Sequence, residues 1–409
     1  MAPLTVDADL TQYYYFRNSS ISEGKEKIMC MVKTAFSHVS RVRKLRLKLR
    51  PADFPDVLAL LASPAPLLEH CDIIFASADQ EALPNLFNGI CPRLTSLSTD
   101  RCILNWQAPI FSNLQNLKID SAGLVPMCQF LTALSSMSYL KSLEMSVTSI
   151  SNSDDHLVHV ELPHLVKLWL RADFAGWMRL LEHIDAPNTT CLQLHNNSRD
   201  HIDQTQQVAL AHRLVNQISK YMLEPIRSMT IDGMGLKMWV ASSSENPRFD
   251  ISVPYEAREQ ISKVILPALS YRELNSVTIG ASLDAETWLN CFADLENLKE
   301  IEVHEGPGFL SALESGIPKR ATKNCEALKF KAMNRLTIQG WNLTECAPNQ
   351  ENGSHMKRLK TFLRARGKYA EPLDELVVQR CRCLPNREVE TLRKIVKVLD
   401  YDPTKNYRR

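Results

Sequence analysis

The sequence predicts an α/β fold built as a tandem array, with short parallel strands side by side and helices returning the chain between them. Three observations carry that expectation. The pattern L-x-x-L-x-[LIVM] returns along most of the chain. Stretches with helical spacing of apolar residues fall between its copies. Glycine is scarce, at 13 of 409 residues, which disfavours folds that depend on many glycine turns, such as phosphate-binding loops or tight barrels.

The copies run in order as Val42-Leu45-Leu47, Leu68-Cys71-Ile73, Leu94-Leu97-Thr99, Leu114-Leu117-Ile119, Leu140-Leu143-Met145 and Leu165-Leu168-Leu170. A weaker copy is Thr189-Leu192-Leu194, followed by Ile226-Met229-Ile231 and a degenerate strand around Ile251 and Val253. Leu274-Val277-Ile279, Leu298-Ile301-Val303, Met333-Leu336-Ile338 and Leu373-Leu376-Val378 complete the set. Between middle residues most steps measure about 20 to 26 positions, the period of leucine-rich repeats. The expected fold is therefore an irregular leucine-rich-repeat solenoid, with a curved parallel β-sheet on the concave side and helices on the convex side. About 13 irregular repeats would span residues 41–384.

The last two apolar residues of each copy are two apart, so they share one face of a short strand. The first lies on the turn entering it. Helical patterns supply the return path at Asp53–Leu61, Val125–Leu134, Asp173–Ile184, Val208–Met222, Arg258–Leu269, Asp284–Leu295, Met356–Arg366 and Glu388–Leu399. Asp284 is an N-cap candidate. Eight residues after the first leucine, the familiar repeat carries Asn or Cys to satisfy backbone groups leaving the strand. Cys102, Asn197 and Cys381 hold that position, with Thr148 or Asp173 elsewhere.

At the ends, residues 1–40 read as a polar extension, with Tyr13–Tyr15, followed by a capping helix over Ile28–Ala35. Residues 385–409 read as a capping helix and frayed tail. Exposed loops are expected at Gly316–Asn324 and Cys346–Ser354.

A net charge of +2 gives no general reason to expect nucleic acid or an anionic membrane as partner. The 11 cysteines form no C-x-x-C pair and read as free thiols of a reducing compartment. No secretory signal and no spanning apolar run is visible. A cytoplasmic or nuclear location is expected, and N-x-[ST] triplets such as those at Asn18, Asn188 and Asn342 are chance matches. No phosphate loop, nucleophile elbow or metal-binding helix occurs. The run His304–Gly308 reads as a strand-to-helix turn, and the 11 histidines show no metal spacing. No enzyme, cofactor or metal is expected, although a catalytic site assembled from distant residues is a third possibility.

The candidate binding residues follow from strand parity. Lys167, Trp169 and Arg171 put an aromatic between two cations on the open side of one strand, and Trp and Arg are enriched at binding hot spots. Neighbouring strands add Lys118, Asp120, Glu144, Gln193 and His195. On an earlier strand Arg46, Lys48 and Arg50 alternate with Leu45, Leu47 and Leu49, which is either a solvated face or a docking strip for an acidic partner. A protein on the concave face is the expected partner. Trp169 could equally pack under a neighbouring loop.

The wording of the units carries a family resemblance. Ile90–Ile119, ICPRLTSLSTDRCILNWQAPIFSNLQNLKI, resembles the leucine-rich region of the F-box proteins of mushroom-forming fungi. Cys91-Pro92-Arg93-Leu94, Cys102, Trp106, Pro109-Ile110-Phe111 and Asn113-Leu114 match at corresponding places. Glu161–Leu170, Asp185–Leu194 and His38–Leu49 are also similar, and Ala2–Leu10 resembles the stretch after the F-box. The resemblance implies a substrate-recognition part of a ubiquitin ligase subunit. The F-box itself, which docks the cullin–RING ligase adaptor, has no match here and is expected upstream or lost. A free-standing interaction or inhibitor protein is the alternative.

Overall fold

The computed structural model describes residues 3–11, 21–50, 55–76, 80–83, 85–151, 157–197, 204–222, 224–232, 235–240, 247–252, 258–304, 306–318, 328–343, 354–381 and 384–401. The chain forms two compact units, Met1–Asp200 and His201–Arg409.

The first unit is a parallel sheet laid down in chain order. Its strands are β1 (Leu4–Asp9), β2 (Val42–Leu49), β3 (His70–Phe75), β4 (Ser96–Asp100), β5 (Asn116–Val125), β6 (Ser142–Ile150), β7 (Lys167–Ala172) and β8 (Cys191–Asn196). The pairing register puts Leu45, Cys71, Leu97, Leu117, Leu143, Leu168 and Leu192 in one row. All are at most 3% exposed. These are the middle residues of the repeat, so the periodicity is a register. Two residues on, Leu47, Ile73, Thr99, Ile119, Met145, Leu170 and Leu194 form a second buried row. Burying each aliphatic side chain contributes about 1.5–3 kcal/mol against leaving it in water. Thr99 is the exception in its row: its Oγ1 is buried without a hydrogen-bond partner among the described residues.

Four helices belong to this unit: α1 (Ile21–Phe36), α2 (Pro55–Leu60), α3 (Met127–Ser135) and α4 (Phe174–Glu182). Between β3 and β5 the described return path holds 3₁₀ turns at Leu86–Gly89 and Pro109–Phe111 and two short paired strands, Glu81–Ala82 and Cys102–Ile103, and no α-helix among the described residues. There Trp106 stacks on Phe111, with centroids 5.5 Å apart, and meets Phe130 edge-on at 4.8 Å. The aromatic residues of the Ile90–Ile119 motif are thus core.

Backbone groups at the strand ends are satisfied by side chains from neighbouring repeats. The Sγ of Cys102 donates to the Ile73 carbonyl at 3.7 Å, and Asn197 Nδ2 donates to the Val147 carbonyl at 2.6 Å. Both hold the expected position. Arg101 follows β4 in the left-handed region, at φ 59°, and Ser121 adopts it inside β5, at φ 52°, where the pairing with β6 shifts register between Ile119 and Ala122. On the entering side a second rung appears that the repeat pattern does not announce: Asn113 and Asn188 donate to the Pro92 and Pro163 carbonyls of the preceding repeat, at 3.0 and 2.7 Å.

The second unit contains β9 (Ser228–Ile231), β10 (Gly235–Trp239), β11 (Phe249–Ser252), β12 (Ser276–Ile279), β13 (Glu300–Val303), β14 (Arg335–Gln339), β15 (Glu375–Gln379) and β16 (Val398–Tyr401). Their order is β11-β10-β9-β12-β13-β14-β15-β16. The run from β9 through β12 to β16 is parallel, with Met229, Val277, Ile301, Leu336, Leu376 and Leu399 in one row. Helices α5 (Gln204–Tyr221), α6 (Arg258–Ala268), α7 (Ala285–Phe292), α8 (Pro307–Ser315), α9 (His355–Tyr369) and α10 (Asn386–Arg393) complete it. Asp284 caps α7 as expected, its Oδ1 accepting from Thr287 N at 2.7 Å. Cys381 Sγ donates to the Ile338 carbonyl at 3.7 Å, and Asn297 to the Arg272 carbonyl at 2.7 Å, repeating both rungs of the first unit. Arg358, 4% exposed, ties α9 to α8 through Glu314 at 2.9 Å and Ser311 at 2.8 Å.

Three expectations are corrected. Leu4–Asp9 is a strand paired parallel to β2, where a polar extension was expected; its alternate residues pack toward the sheet. Ile251 does not begin a new parallel repeat, because β9, β10 and β11 form an antiparallel meander in which Ile231, Leu236 and Ile251 face one another. Gly235 permits the close approach, since a Cβ there would run into the Ile251 carbonyl. The last helix stops at Arg393, and Val398–Tyr401 adds a strand beside β15, held by Lys397 N to the Leu373 carbonyl at 3.0 Å. Tyr13–Tyr15, Val253, residues 319–324 and 346–353 of the expected loops, and the tail after Tyr401 lie outside the described residues.

Candidate functional site

Parity decides what the first sheet shows to solvent. Residues between the two buried rows point outward, and the register aligns Arg46, Asp72, Ser98, Lys118, Glu144, Trp169 and Gln193 in a row across β2 to β8. The next outward row sets Arg171 between Ser146 and His195. Further back, it sets Lys48 beside Ile74 and Asp100 beside Asp120. All ten candidate residues therefore lie on one face of one sheet. Trp169 is half-buried, while Leu168 and Leu170 on either side of it are fully buried.

The geometry separates these residues into two groups. At the β1–β3 end the cations are neutralised. Arg46 lies 3.3 Å from Asp72 and 4.0 Å from Asp7, and Lys48 lies 3.3 Å from Asp9. Of the expected cationic strip, Arg46 and Lys48 thus alternate with opposite charge, because the flanking strands put carboxylates beside them. Such exposed pairs contribute only about 0–1 kcal/mol each.

At the β5–β8 end the balance differs. Lys167 is paired with Glu144 at 2.6 Å. Trp169 leans toward His195, with ring centroids 5.9 Å apart at 46°. Lys118 and Arg171 are exposed and have no ion-pair or hydrogen-bond partner among the described residues.

Beside Arg171 the C-terminal ends of β5, β6 and β7 enclose a hollow of about 980 Å³. Its polar lining includes Ser146, Ser149, Ser151, Arg171, Asp173 and Asn197, beside Ser121 and Thr148. Asp173 has both oxygens engaged: Oδ1 accepts from Gly176 N at 2.6 Å, capping α4, and Oδ2 accepts from Ile150 N at 3.1 Å. Sequence reasoning placed Arg171 on this face but missed the hollow. Asp173 and Asn197 read only as turn residues, and the serines follow no period. The polar run Ser146–Ser151 at the end of an otherwise apolar strand was the available signal.

Among the described residues no set of three or more His, Cys, Asp or Glu side chains could hold a metal ion. His304 pairs with Glu302 at 2.7 Å, in the open. Burial pushes the Cys91 thiol up to about 11 and the Cys102 thiol up to about 12, with Cys71 also raised, so none is a ready thiolate near neutral pH. Among the described residues no helix is long and apolar enough to cross a membrane.

No family model matches the chain, and no curated protein matches it. Among solved structures, a leucine-rich-repeat protein of Leptospira interrogans is similar at 14% identity over 90% of this chain and 98% of that one, with a TM-score of 0.28. The chain's own architecture is α/β, with mostly parallel strands and helices between them.

Proposed function

We propose that this chain is a non-enzymatic protein-binding scaffold, an irregular leucine-rich-repeat solenoid that holds its partner on the outward face of β5–β8. One observation carries the reading. A half-exposed tryptophan and two cations without counter-ions among the described residues stand on strands whose reverse side is fully buried. A face so fixed presents its side chains with little ordering cost on binding, and Trp and Arg are the residue types that dominate binding energy.

Within that reading the chain serves as the substrate-recognition part of an F-box-type ubiquitin ligase subunit, in the cytoplasm or nucleus. The similarity of Ile90–Ile119 to the fungal F-box proteins supports it. The test is a pull-down of the cullin–RING adaptor with the product of the full-length transcript. Adaptor capture is expected. Its absence ends the ligase reading and leaves a free-standing scaffold. The face itself is tested by affinity purification from the native organism, comparing the wild type with Trp169→Ala and Lys118→Glu. Specific partners should fall away in both variants; retention in both refutes this surface.

A further inference from the structure

We propose that the hollow at the ends of β5, β6 and β7 receives an oxyanion, a carboxylate or phosphate on a side chain of the protein partner, with Arg171 as its counter-ion. The inference deepens the reading of this face as protein-binding and rests on it. The hollow carries its own argument, beginning with charge. Lys118 has no partner among the described residues but does not line the hollow, whereas Arg46, Lys48 and Lys167 each have a carboxylate within 3.3 Å. Arg171 has none among the described residues. A guanidinium offers five N–H donors in a planar fork that matches carboxylate and phosphate oxygens.

The lining extends that donor set. The hydroxyls of Ser146, Ser149 and Ser151 make no hydrogen bond among the described residues, so each is available to donate. Asn197 commits one amide hydrogen to the Val147 carbonyl, and its Nδ2 carries a second. The carboxylate in the lining, Asp173, is already answered by two backbone N–H groups, one of them at the start of α4. Its charge is thus offset by the helix terminus it caps. The site therefore offers donors and one uncompensated cation.

The source of the anion follows from the surroundings. A nucleic acid needs a track of cations spaced along its backbone. Here Arg46 and Lys48 are neutralised, and the chain's net charge is only +2. A single anionic side chain suits the geometry better. Leu124, 65% exposed, supplies an apolar wall to the hollow, and Trp169, on the same strand as Arg171, supplies an aromatic surface for the residues flanking that side chain.

The experiment uses the full chain labelled with ¹⁵N, titrated at constant ionic strength with O-phospho-L-serine, N-acetyl-L-aspartate or chloride. The Arg171 Nε–H and the amides of Ser149 and Ser151 are followed by NMR. The two organic anions should move all three signals together and saturably, and chloride should not. Because an Arg–oxyanion pair is charge-assisted and bidentate, Arg171→Gln should weaken saturation of the serine amides by about tenfold or more. A tighter fit for phosphoserine assigns a phosphorylated partner, and a tighter fit for acetyl-aspartate an acidic one. Absence of saturable shifts, or serine shifts unchanged in Arg171→Gln, overturns the proposal. No partner protein is needed, so that failure leaves the wider face standing. Intact anion binding beside undiminished partner capture by Trp169→Ala and Lys118→Glu would instead sink the face alone.

Discussion

Leu170 and Trp169 are adjacent in the chain and opposite in role, and replacing each with alanine tests the fold most directly. Leu170 is fully buried in the second apolar row, between Met145 and Leu194. Truncating it removes three carbons from a packed layer and leaves a cavity, at a cost of about 2–5 kcal/mol. Trp169 is larger but half-buried on the other side of the strand, and its recorded ring contact is His195 at 5.9 Å. Losing that ring contact costs about 0.5–1.5 kcal/mol, and re-exposing the covered part of the indole adds to it. A unit of this size shifts its midpoint by roughly 2–4 °C per kcal/mol. Leu170→Ala should therefore lower the melting of the first unit by about 4–20 °C, and Trp169→Ala by less than Leu170→Ala does. Circular dichroism and calorimetry on both variants, read against urea midpoints, give the comparison. If Trp169→Ala cost as much as Leu170→Ala, the outward assignment of the whole row from Arg46 to Gln193 would fail with it.

Further outcomes follow from other contacts. Thr99→Val should stabilise the first unit by about 1 kcal/mol, because it replaces a buried hydroxyl without a partner by a methyl of the same shape. A urea midpoint that falls would show that the hydroxyl is satisfied. Arg358→Ala should destabilise the second unit by about 3 kcal/mol, since it removes a buried guanidinium from Glu314 and Ser311, whereas Arg358→Met should cost much less. Equal losses would refute that. Asp284→Ala should cost about 1 kcal/mol at neutral pH. The hydrogen bond from Thr287 N, opposed by burial, holds the Asp284 carboxyl below its ordinary 3.8. Its contribution is thus complete above the ordinary value and disappears as pH falls through the lowered one, so wild type and variant should converge in acid. Cys91 and Cys102 act in the opposite sense. Burial raises them to about 11 and about 12 from 9.0, so the fold favours the neutral thiols and stability falls as pH rises beyond 9. Cys91→Ala with Cys102→Ala should flatten that alkaline loss; an unchanged profile would refute it. Site-resolved alkylation at pH 8 should mark exposed Cys30 well before Cys71, Cys91 or Cys102.

Most of the parallel framework was legible because one residue type repeats at one position. Leu45 through Leu192 announce a row, and the structure joins them in register. What stayed hidden depends on single contacts. Nothing in a period reveals that Gly235 lets β11 pack closely against β10 in an antiparallel pair, or that Val398–Tyr401 leaves a helix pattern for a sheet edge. Asn113, Asn188 and Asn297 share a role, yet each precedes its strand among varied neighbours, so the rung shows only once the carbonyls of the previous repeat are in view. The site divided in the same way. Parity put Trp169 and Arg171 on the open face, but the pairing of Arg46 and Lys48 with Asp72 and Asp9 depends on register between strands. So does the gathering of Ser146, Ser149 and Ser151 around Arg171.

The alternation within each strand has a consequence for how such a chain can change. Inward positions are held by neighbours on both sides, so substitutions there are paid in stability. Outward positions between the buried rows answer mainly to solvent or to a partner. Ser98, Lys118, Trp169 and Gln193 can therefore be exchanged one at a time, at small cost, while Leu97, Leu117, Leu168 and Leu192 stay as they are. On the proposed binding face, recognition and folding would be written on alternate letters of the same words, and a lineage of such proteins could revise its choice of partner without having to learn to fold again.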